Sequence, residues 1–332
     1  MMNSKITGLG FYVPERIMTN EEVCATIDSS DEWITERTGI KERRIFNPET
    51  DTVSNMAAKA ARIALDRAGK TPKEVDAIFF ATLSPDYYFP GSGVLLQKHL
   101  GLNKIPCFDL RAQCAGFIYA LSVADQYIKT GKFKTVLVAG SEIQTNIIEM
   151  SNRGKAMGVL FGDGAGVVVL EATNEKGKGL ISINQYAEGK FAEELYCKLP
   201  SSHLPCRFPT DAWETGDALP HMNGKLVYIH AVKAMCEVLR ESLAEVNLKE
   251  SDIDLFIPHQ ANRRICEAVQ KQLGISEEKV VININKYGNT TAASIPIALT
   301  ETWEQGKIKD GDLIALASFG SGFVWGSSLI RW

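Results

Sequence analysis

Three residues of this chain have side chains and neighbours suited to acyl transfer: Cys114, His259 and Asn289. Cys114 lies in FDLRAQCAGFIYALSVADQYIKTG, where Phe108–Leu110 reads as a strand end and Gly116–Lys129 has helical spacing. The thiol is therefore expected at a strand-to-helix elbow, with the small residues Ala112, Ala115 and Gly116 permitting a sharp turn and close approach of a substrate carbonyl. A helix N-terminus favours negative charge, so a thiolate should form here more readily than on a free cysteine. His259 follows the apolar run Leu255–Pro258 in IPHQANRRI, and Asn289 stands in the dipeptide Gly288-Asn289. A thiol nucleophile, an imidazole and a carboxamide at one point can transfer an acyl group. Two neutral donors can also stabilise the enolate needed to form a carbon–carbon bond.

Each residue alone has a plainer explanation. A cysteine beside a strand is commonly an inert core filler, the role read for Cys107. A histidine after a buried strand is more often a satisfied core residue than a base. Gly-Asn is a turn dipeptide.

The elements that position these residues change the balance, because the chain is written twice. Ala60–Ala81 runs amphipathic helix, turn, apolar strand, and Met235–His259 repeats that order. LQKHLG (Leu96–Gly101) matches VQKQLG (Val269–Gly274), each ending a helix on a glycine suited to a left-handed cap. A strand is expected after each, at Ile105–Leu110 and Val280–Ile284. GKFK (Gly131–Lys134) and GKIK (Gly306–Lys309) lead into further strands, and both halves close on glycine-rich turns, FGDGAGVVVL (Phe161–Leu170) and FGSGFVWGSSLI (Phe319–Ile330). Continuously apolar strands alternating with helices imply sheets covered on both faces. The expected architecture is α/β, two similar halves about a pseudo-twofold axis, with ligands beyond the strand ends. The alignment places Cys114 and Asn289 at nearly equivalent elbows, facing one another, with His259 on a neighbouring strand. The halves are read as residues 1–173 and 225–332. Between them, Asn174–Gly224 looks like one long excursion from the core, a lid or an inter-subunit element. It carries Cys197, Cys206, His203 and His221, but in no metal-ligand spacing, so no metal is expected.

Composition excludes several classes. The 332 residues are 45% hydrophobic and 23% charged, ordinary globular values. A net charge of −4 gives no global field for nucleic acid or anionic lipid. MMNSKITGLG lacks the pattern of a secretory signal, and no apolar run has the ~20 residues of a membrane helix. Seven cysteines without Cys-x-x-Cys spacing suit a reducing compartment, so a soluble cytoplasmic enzyme is expected.

QCAGFIYALSVADQYIKTG, FGDGAG, IPHQAN, YGNTTAAS and FGSGFVWGS together resemble β-ketoacyl-acyl carrier protein synthase III, over Gly8–Trp332. The resemblance implies a thiolase-like fold in α-β-α-β-α layers, a homodimer, and initiation of fatty acid synthesis by decarboxylative Claisen condensation. Acyl-CoA would load Cys114, and malonyl-acyl carrier protein would then lose CO2 and attack the thioester; no cofactor is implied. It further implies His259 and Asn289 as the decarboxylation pair and the amides of Cys114 and Gly320-Ser321 as the oxyanion hole. Trp33, Arg37 and Arg153 would hold the adenine end of coenzyme A, where indole and guanidinium planes stack on a purine. Arg264 and Lys271 would dock the carrier protein, and Phe89 would reach the partner subunit's acyl pocket.

Three departures from the family pattern bear on specificity: Arg111-Ala112-Gln113 before the cysteine, Gly320-Ser321-Gly322 in place of three glycines, and Ile229 in place of a docking lysine. Rival readings are a related enzyme joining, transferring or hydrolysing longer or specialised acyl groups, and a non-catalytic synthase subunit. The second is disfavoured because Cys114, His259 and Asn289 are all retained. An enzyme that deprotonates an intact acyl-CoA needs a glutamate base. None is evident at a matching strand end, which favours decarboxylation.

Overall fold

The computed structural model describes residues 3–332. Its first sheet runs Asn3–Tyr12, Gly164–Thr173, Thr135–Glu142, Ala77–Ala81, Cys107–Leu110 in spatial order. The first two pairings are antiparallel and the last two parallel. The second sheet repeats this as Gly179–Ala187, Val324–Arg331, Leu313–Gly320, Leu255–Pro258, with pairings antiparallel, antiparallel and parallel.

Two sequence expectations are corrected here. Asn174–Gly224 is not one excursion: Gly179–Ala187 is an edge strand of the second sheet and the counterpart of Asn3–Tyr12. Its outer face is only partly buried, so polar residues interrupt the apolar pattern that would have revealed it. The departure from the core is confined to roughly residues 188–223, which hold a two-stranded ribbon, Leu195–Cys197 with Pro220–Met222.

The expected strand Val280–Ile284 is reduced to one parallel bridge between Val280 and Phe256. The Gln260 side chain replaces the rest of the ladder. Its Oε1 accepts from the amides of Asn283 (3.0 Å) and Ile284 (3.3 Å), and its Nε2 donates to the carbonyls of Pro258 (2.8 Å) and Val281 (3.1 Å). With those groups satisfied, the chain turns directly into the short helix Ile284–Tyr287.

Three buried clusters give the layers. Helices Gly116–Lys129 and Ser294–Glu304 fill the middle, where Leu121, Ala124, Ile295 and Leu299 pack with Phe79 and Val138 of one sheet and Ile257 and Leu316 of the other. Helix Val53–Arg67 covers the outer face of the first sheet, and helices Gly224–Glu245 and Arg263–Leu273 that of the second. The order α-β-α-β-α follows. Among the described residues no helix is long and apolar enough to cross a membrane.

The backbone repeats even where side chains differ. Positive φ recurs at matched positions: Gly69 (65°) with Asn247 (57°), Gly101 (68°) with Gly274 (69°), Gly131 (76°) with Gly306 (66°), and Gln113 (43°) with Thr291 (47°). The last pair opens the elbows that carry the candidate site.

Candidate active site

Two short 3-10 turns, Gln113–Ala115 and Thr291–Ala293, lead straight into the two central helices. Positive φ at Gln113 and Thr291 is unfavourable for a side-chain-bearing residue, and such strain concentrates at functional sites. This register refines the repeat. The counterpart of Cys114 is Ala292, and the counterpart of Asn289 is Arg111, three residues from the simpler alignment. The turns nevertheless pack together, with Ala292 Cβ 3.4 Å from where a Cβ on Gly116 would stand.

Cys114 is held from the second half. Ser318 Oγ donates to its carbonyl at 2.7 Å, and a Cβ on Gly320 would lie 2.9 Å from its amide nitrogen. Glycine at 320 is thus what lets the Gly320-Ser321 turn lie against Cys114. The Ser321 amide donates to no protein acceptor among the described residues.

His259 sits on the same strand edge, its amide bonded to Ala317, the neighbour of Ser318, at 2.8 Å. Its Nδ1 meets Ser294 Oγ at 2.6 Å, and the Gln260 amide donates to that oxygen at 3.3 Å. With one lone pair so engaged, we assign the serine proton to Nδ1, which puts the ring proton on Nε2. Nε2 is buried with no protein partner. Burial drives the His259 pKa down to about 3, so the imidazole is neutral at physiological pH. Asn289 is fixed by its amide to Leu160 O (2.8 Å), its carbonyl from Gly162 N (3.1 Å), and its Oδ1 from Thr291 N (2.9 Å). Its Nδ2 is left as the free donor.

The expected thiolate is corrected. Burial pushes the Cys114 thiol up to about 12, with the Glu142 carboxylate adding to the rise. Both effects work against the expected thiolate.

Glu142 also corrects the expectation that no glutamate occupies a strand end. It terminates Thr135–Glu142 and is fully buried. The run TVLVAGSE hid it, since its last residues read as a strand fading into a turn. It is fully buried, and its Oε2 collects Thr82 Oγ1 (3.0 Å), Ser84 Oγ (2.6 Å), Gln144 Nε2 (3.1 Å) and the amides of Leu83 and Ser84 (both 3.2 Å).

A cavity of about 460 Å³ opens on Cys114, Gln113, Thr291 and Ser321. Residues 195–220 contribute Leu195, Tyr196, Leu199, Pro200 and Phe208 to its wall, and Arg111 is its one charged residue.

The outlying candidates separate into two groups. Trp33 is 38% exposed, with the Arg37 guanidinium 5.6 Å from its ring centre. Lys155, which sequence reasoning missed, stands closer at 4.6 Å. The Arg37 carbonyl accepts from Asn262 Nδ2 at 3.0 Å, tying this corner to the chain just past His259. Arg153 is not free: its nitrogens bond Glu149 Oε2 (2.6 Å) and the carbonyls of Trp213 (3.0 Å) and Glu214 (3.2 Å). Arg264 and Lys271 are both exposed on helix Arg263–Leu273, and Ile229 is exposed on the neighbouring helix. Phe89 is 77% exposed and absent from this chain's own cavity.

Comparison with known proteins decides the family. The profile described as 3-oxoacyl-[acyl-carrier-protein] synthase III matches residues 108–189, and its C-terminal companion matches 243–332. Beta-ketoacyl-[acyl-carrier-protein] synthase III of Symbiobacterium thermophilum is 44% identical over 327 residues, covering 98% of this chain and 97% of that protein. The chain belongs to the β-ketoacyl-[acyl-carrier-protein] synthase III family. Within it, the crystal structure of 3-oxoacyl-[acyl-carrier-protein] synthase III from Aquifex aeolicus is 42% identical and superposes with a TM-score of 0.91, over 99% of this chain and 100% of that one. The priming β-ketosynthase of the R1128 polyketide pathway is 33% identical with a TM-score of 0.89, over 99% and 96%. The two halves are thus those of the thiolase-like fold of the family.

Proposed function

We propose that this chain joins an acyl group, taken from coenzyme A, to malonyl-acyl carrier protein by decarboxylative Claisen condensation, giving the 3-oxoacyl-acyl carrier protein that initiates fatty acid synthesis. In the loading step Cys114 Sγ attacks the acyl-CoA carbonyl. The amides of Cys114 and Ser321 receive the oxyanion, the bond to the CoA sulfur breaks, and the thiol proton leaves with that sulfur. In the second step His259 Nε2–H and Asn289 Nδ2–H donate to the malonyl thioester oxygen. The carboxylate departs as CO2, its electron pair forms the enolate, and the enolate carbon attacks the acyl-Cys114 carbonyl. Collapse of that adduct releases Cys114 sulfur, which regains a proton. The observation that carries this reading is the pairing of a neutral, partner-free Nε2 with a glutamate that is fully buried and does not line the cavity. The site offers donors for an enolate oxygen, and among the described residues no carboxylate lines the cavity to remove a carbon-bound proton.

Trp33 and Arg37, with Lys155, suit the nucleotide of coenzyme A, and Arg264 and Lys271 suit an acidic carrier protein. The unpaired edge Cys107–Leu110 and the exposed Tyr87, Tyr88 and Phe89 suit a homodimer. The apolar wall from residues 195–220, together with the likeness to a priming ketosynthase, favours a second reading in which primers longer than acetyl are used.

Incubation with acyl-CoAs from two to eight carbons, followed by intact mass, tests both readings. We expect one added acyl group, absent in Cys114→Ala, with loading retained and malonyl decarboxylation lost in Asn289→Ala. An unmodified wild-type protein across all chain lengths refutes the assignment.

A further inference from the structure

The condensation mechanism makes no use of Arg43, although this side chain is 1% exposed and lies beside the Asn289 turn. Arg43 belongs to the short strand Glu42–Ile45, paired antiparallel with Arg16–Thr19. Burial lowers its pKa only to about 10, so the guanidinium keeps its charge at physiological pH. It bonds no carboxylate. Nη2 donates to Val159 O (3.0 Å), Nη1 to Asn20 Oδ1 (2.9 Å) and Met18 O (3.4 Å), and Nε is buried without a protein partner. A buried cation held by neutral oxygens alone costs stability that an apolar side chain of similar size would not. What those bonds hold in place is therefore informative.

Val159 leads into the segment that carries the Asn289 turn. Leu160 O accepts from the Asn289 amide (2.8 Å), Gly162 N donates to the Asn289 carbonyl (3.1 Å), and Phe161 forms a parallel bridge with Asn289. The arginine stem fills the space against both strands of this bridge. Its Cβ lies 3.1 Å from where a Cβ on Gly162 would stand and 3.2 Å from where one on Gly288 would. Gly288 has φ 64° and ψ −162°, a backbone conformation essentially confined to glycine, and this turns the chain past the stem into Asn289. Among the described residues the carboxamide makes one side-chain bond to protein, from Thr291 N to its Oδ1 (2.9 Å). Its direction is therefore set by the backbone on which it stands.

On its far side the guanidinium is aimed by Asn20, itself 1% exposed. Asn20 Nδ2 donates to Asp31 Oδ1 (2.7 Å), Thr35 Oγ1 (3.3 Å) and Ile40 O (2.7 Å), which leaves Oδ1 facing Arg43. We propose that Arg43 is a positioning residue for condensation: clamped by Asn20, it holds Val159–Gly162 against the Gly288-Asn289 turn so that Asn289 Nδ2 meets the malonyl thioester oxygen. The inference rests on the assignment of Asn289 as a donor to that oxygen.

The experiment compares the full chain as wild type, Arg43→Met, Arg43→Lys and Asn289→Ala. It reads acyl loading by intact mass, CO2 release from malonyl-acyl carrier protein without primer, and the melting temperature. R43M keeps an unbranched stem against Gly162 and Gly288 and removes the donors. It is expected to lower the maximal rate of CO2 release about 10- to 100-fold, with KM for malonyl-acyl carrier protein changed less than about threefold. In R43M, Asn20 retains its Nδ2 bonds, so the helix bearing Trp33 and Arg37 stays in place. Loading, which uses the amides of Cys114 and Ser321, is expected to change less than about threefold. R43K keeps the charge and stem but offers one nitrogen where the guanidinium offers two, so its CO2 release is expected between those of R43M and wild type. A folded R43M with wild-type CO2 release, with equal loss of both steps, or with no recovery in R43K overturns the proposal. If R43M does not fold, R43K decides: CO2 release slowed alone supports the proposal, and an unchanged rate or equal slowing of both steps overturns it. N289A with wild-type CO2 release overturns the donor reading and this proposal with it. R43M at the wild-type rate beside a defective N289A overturns this proposal alone.

Discussion

Replacing Ser294 by alanine tests whether the imidazole works as an oriented donor. Ser294 is 2% exposed, and its hydroxyl serves two groups at once, His259 Nδ1 at 2.6 Å and the Gln260 amide at 3.3 Å. Ser294→Ala leaves both buried and unpartnered. An orphaned buried polar group costs about 1–3 kcal/mol. The histidine share falls on the step in which Nε2–H must meet an enolate oxygen, because the ring loses both its tautomer assignment and its orientation. If that share is expressed in the transition state, decarboxylation of malonyl-acyl carrier protein slows about 5- to 150-fold. Acyl loading onto Cys114 depends on the amides of Cys114 and Ser321 and should change less than about threefold. Two assays on one preparation separate the steps: acyl-enzyme formation by intact mass, and CO2 release from malonyl-acyl carrier protein without primer. Each kcal/mol of instability lowers the melting temperature by roughly 2–4 °C in a chain of this class, so the variant remains folded at 25 °C. Wild-type decarboxylation in S294A would remove the serine-anchored imidazole from the mechanism. Equal loss of both steps would mean the substitution disturbs the whole site.

Gly320→Ala places a methyl 2.9 Å from the Cys114 amide nitrogen and 3.2 Å from its Cβ, so the nucleophile or the Ser321 turn must shift. A displacement of this order should slow loading about 100-fold or more with the fold intact, read as acylation rate beside the circular dichroism spectrum. Acid stability should report on His259. Its pKa falls from 6.5 unfolded to about 3 folded, so between those values the unfolded chain binds a proton the folded chain refuses. The stability this group contributes is therefore complete above pH 6.5 and is lost as pH falls, by up to about 1.4 kcal/mol per pH unit. His259→Gln should flatten the dependence of the urea midpoint on pH between 6.5 and 4, and an unchanged slope would contradict a buried neutral imidazole.

The duplication was readable because helix caps and apolar strands are local signals, and they led to Cys114, His259 and Asn289 before any coordinates. What escaped shares one physical cause, a side chain taking over a task usually done by backbone. Gln260 reads as a polar neighbour of His259, yet its amide ends the strand expected at Val280–Ile284 by satisfying Asn283 and Ile284. Glu142 reads as the frayed end of TVLVAGSE, yet five donor groups from Thr82 to Gln144 fold around it. Arg153 reads as a free cation for a phosphate, but it is occupied by Glu149 and by carbonyls sixty residues away. Such long-range partners leave no periodicity to detect. The positive φ of Gln113 was equally hidden, since no glycine marks it; only its twin at Thr291 shows that the strain belongs to the elbow and not to the residue. That pairing has a mechanistic meaning. The elbow presents a sulfur at Cys114 in one half, while in the other the matched position is Ala292 and the carboxamide of Asn289 stands three residues earlier. On the proposed mechanism the two halves divide the chemistry, the first holding the acyl group and the second meeting the charge that develops when CO2 leaves.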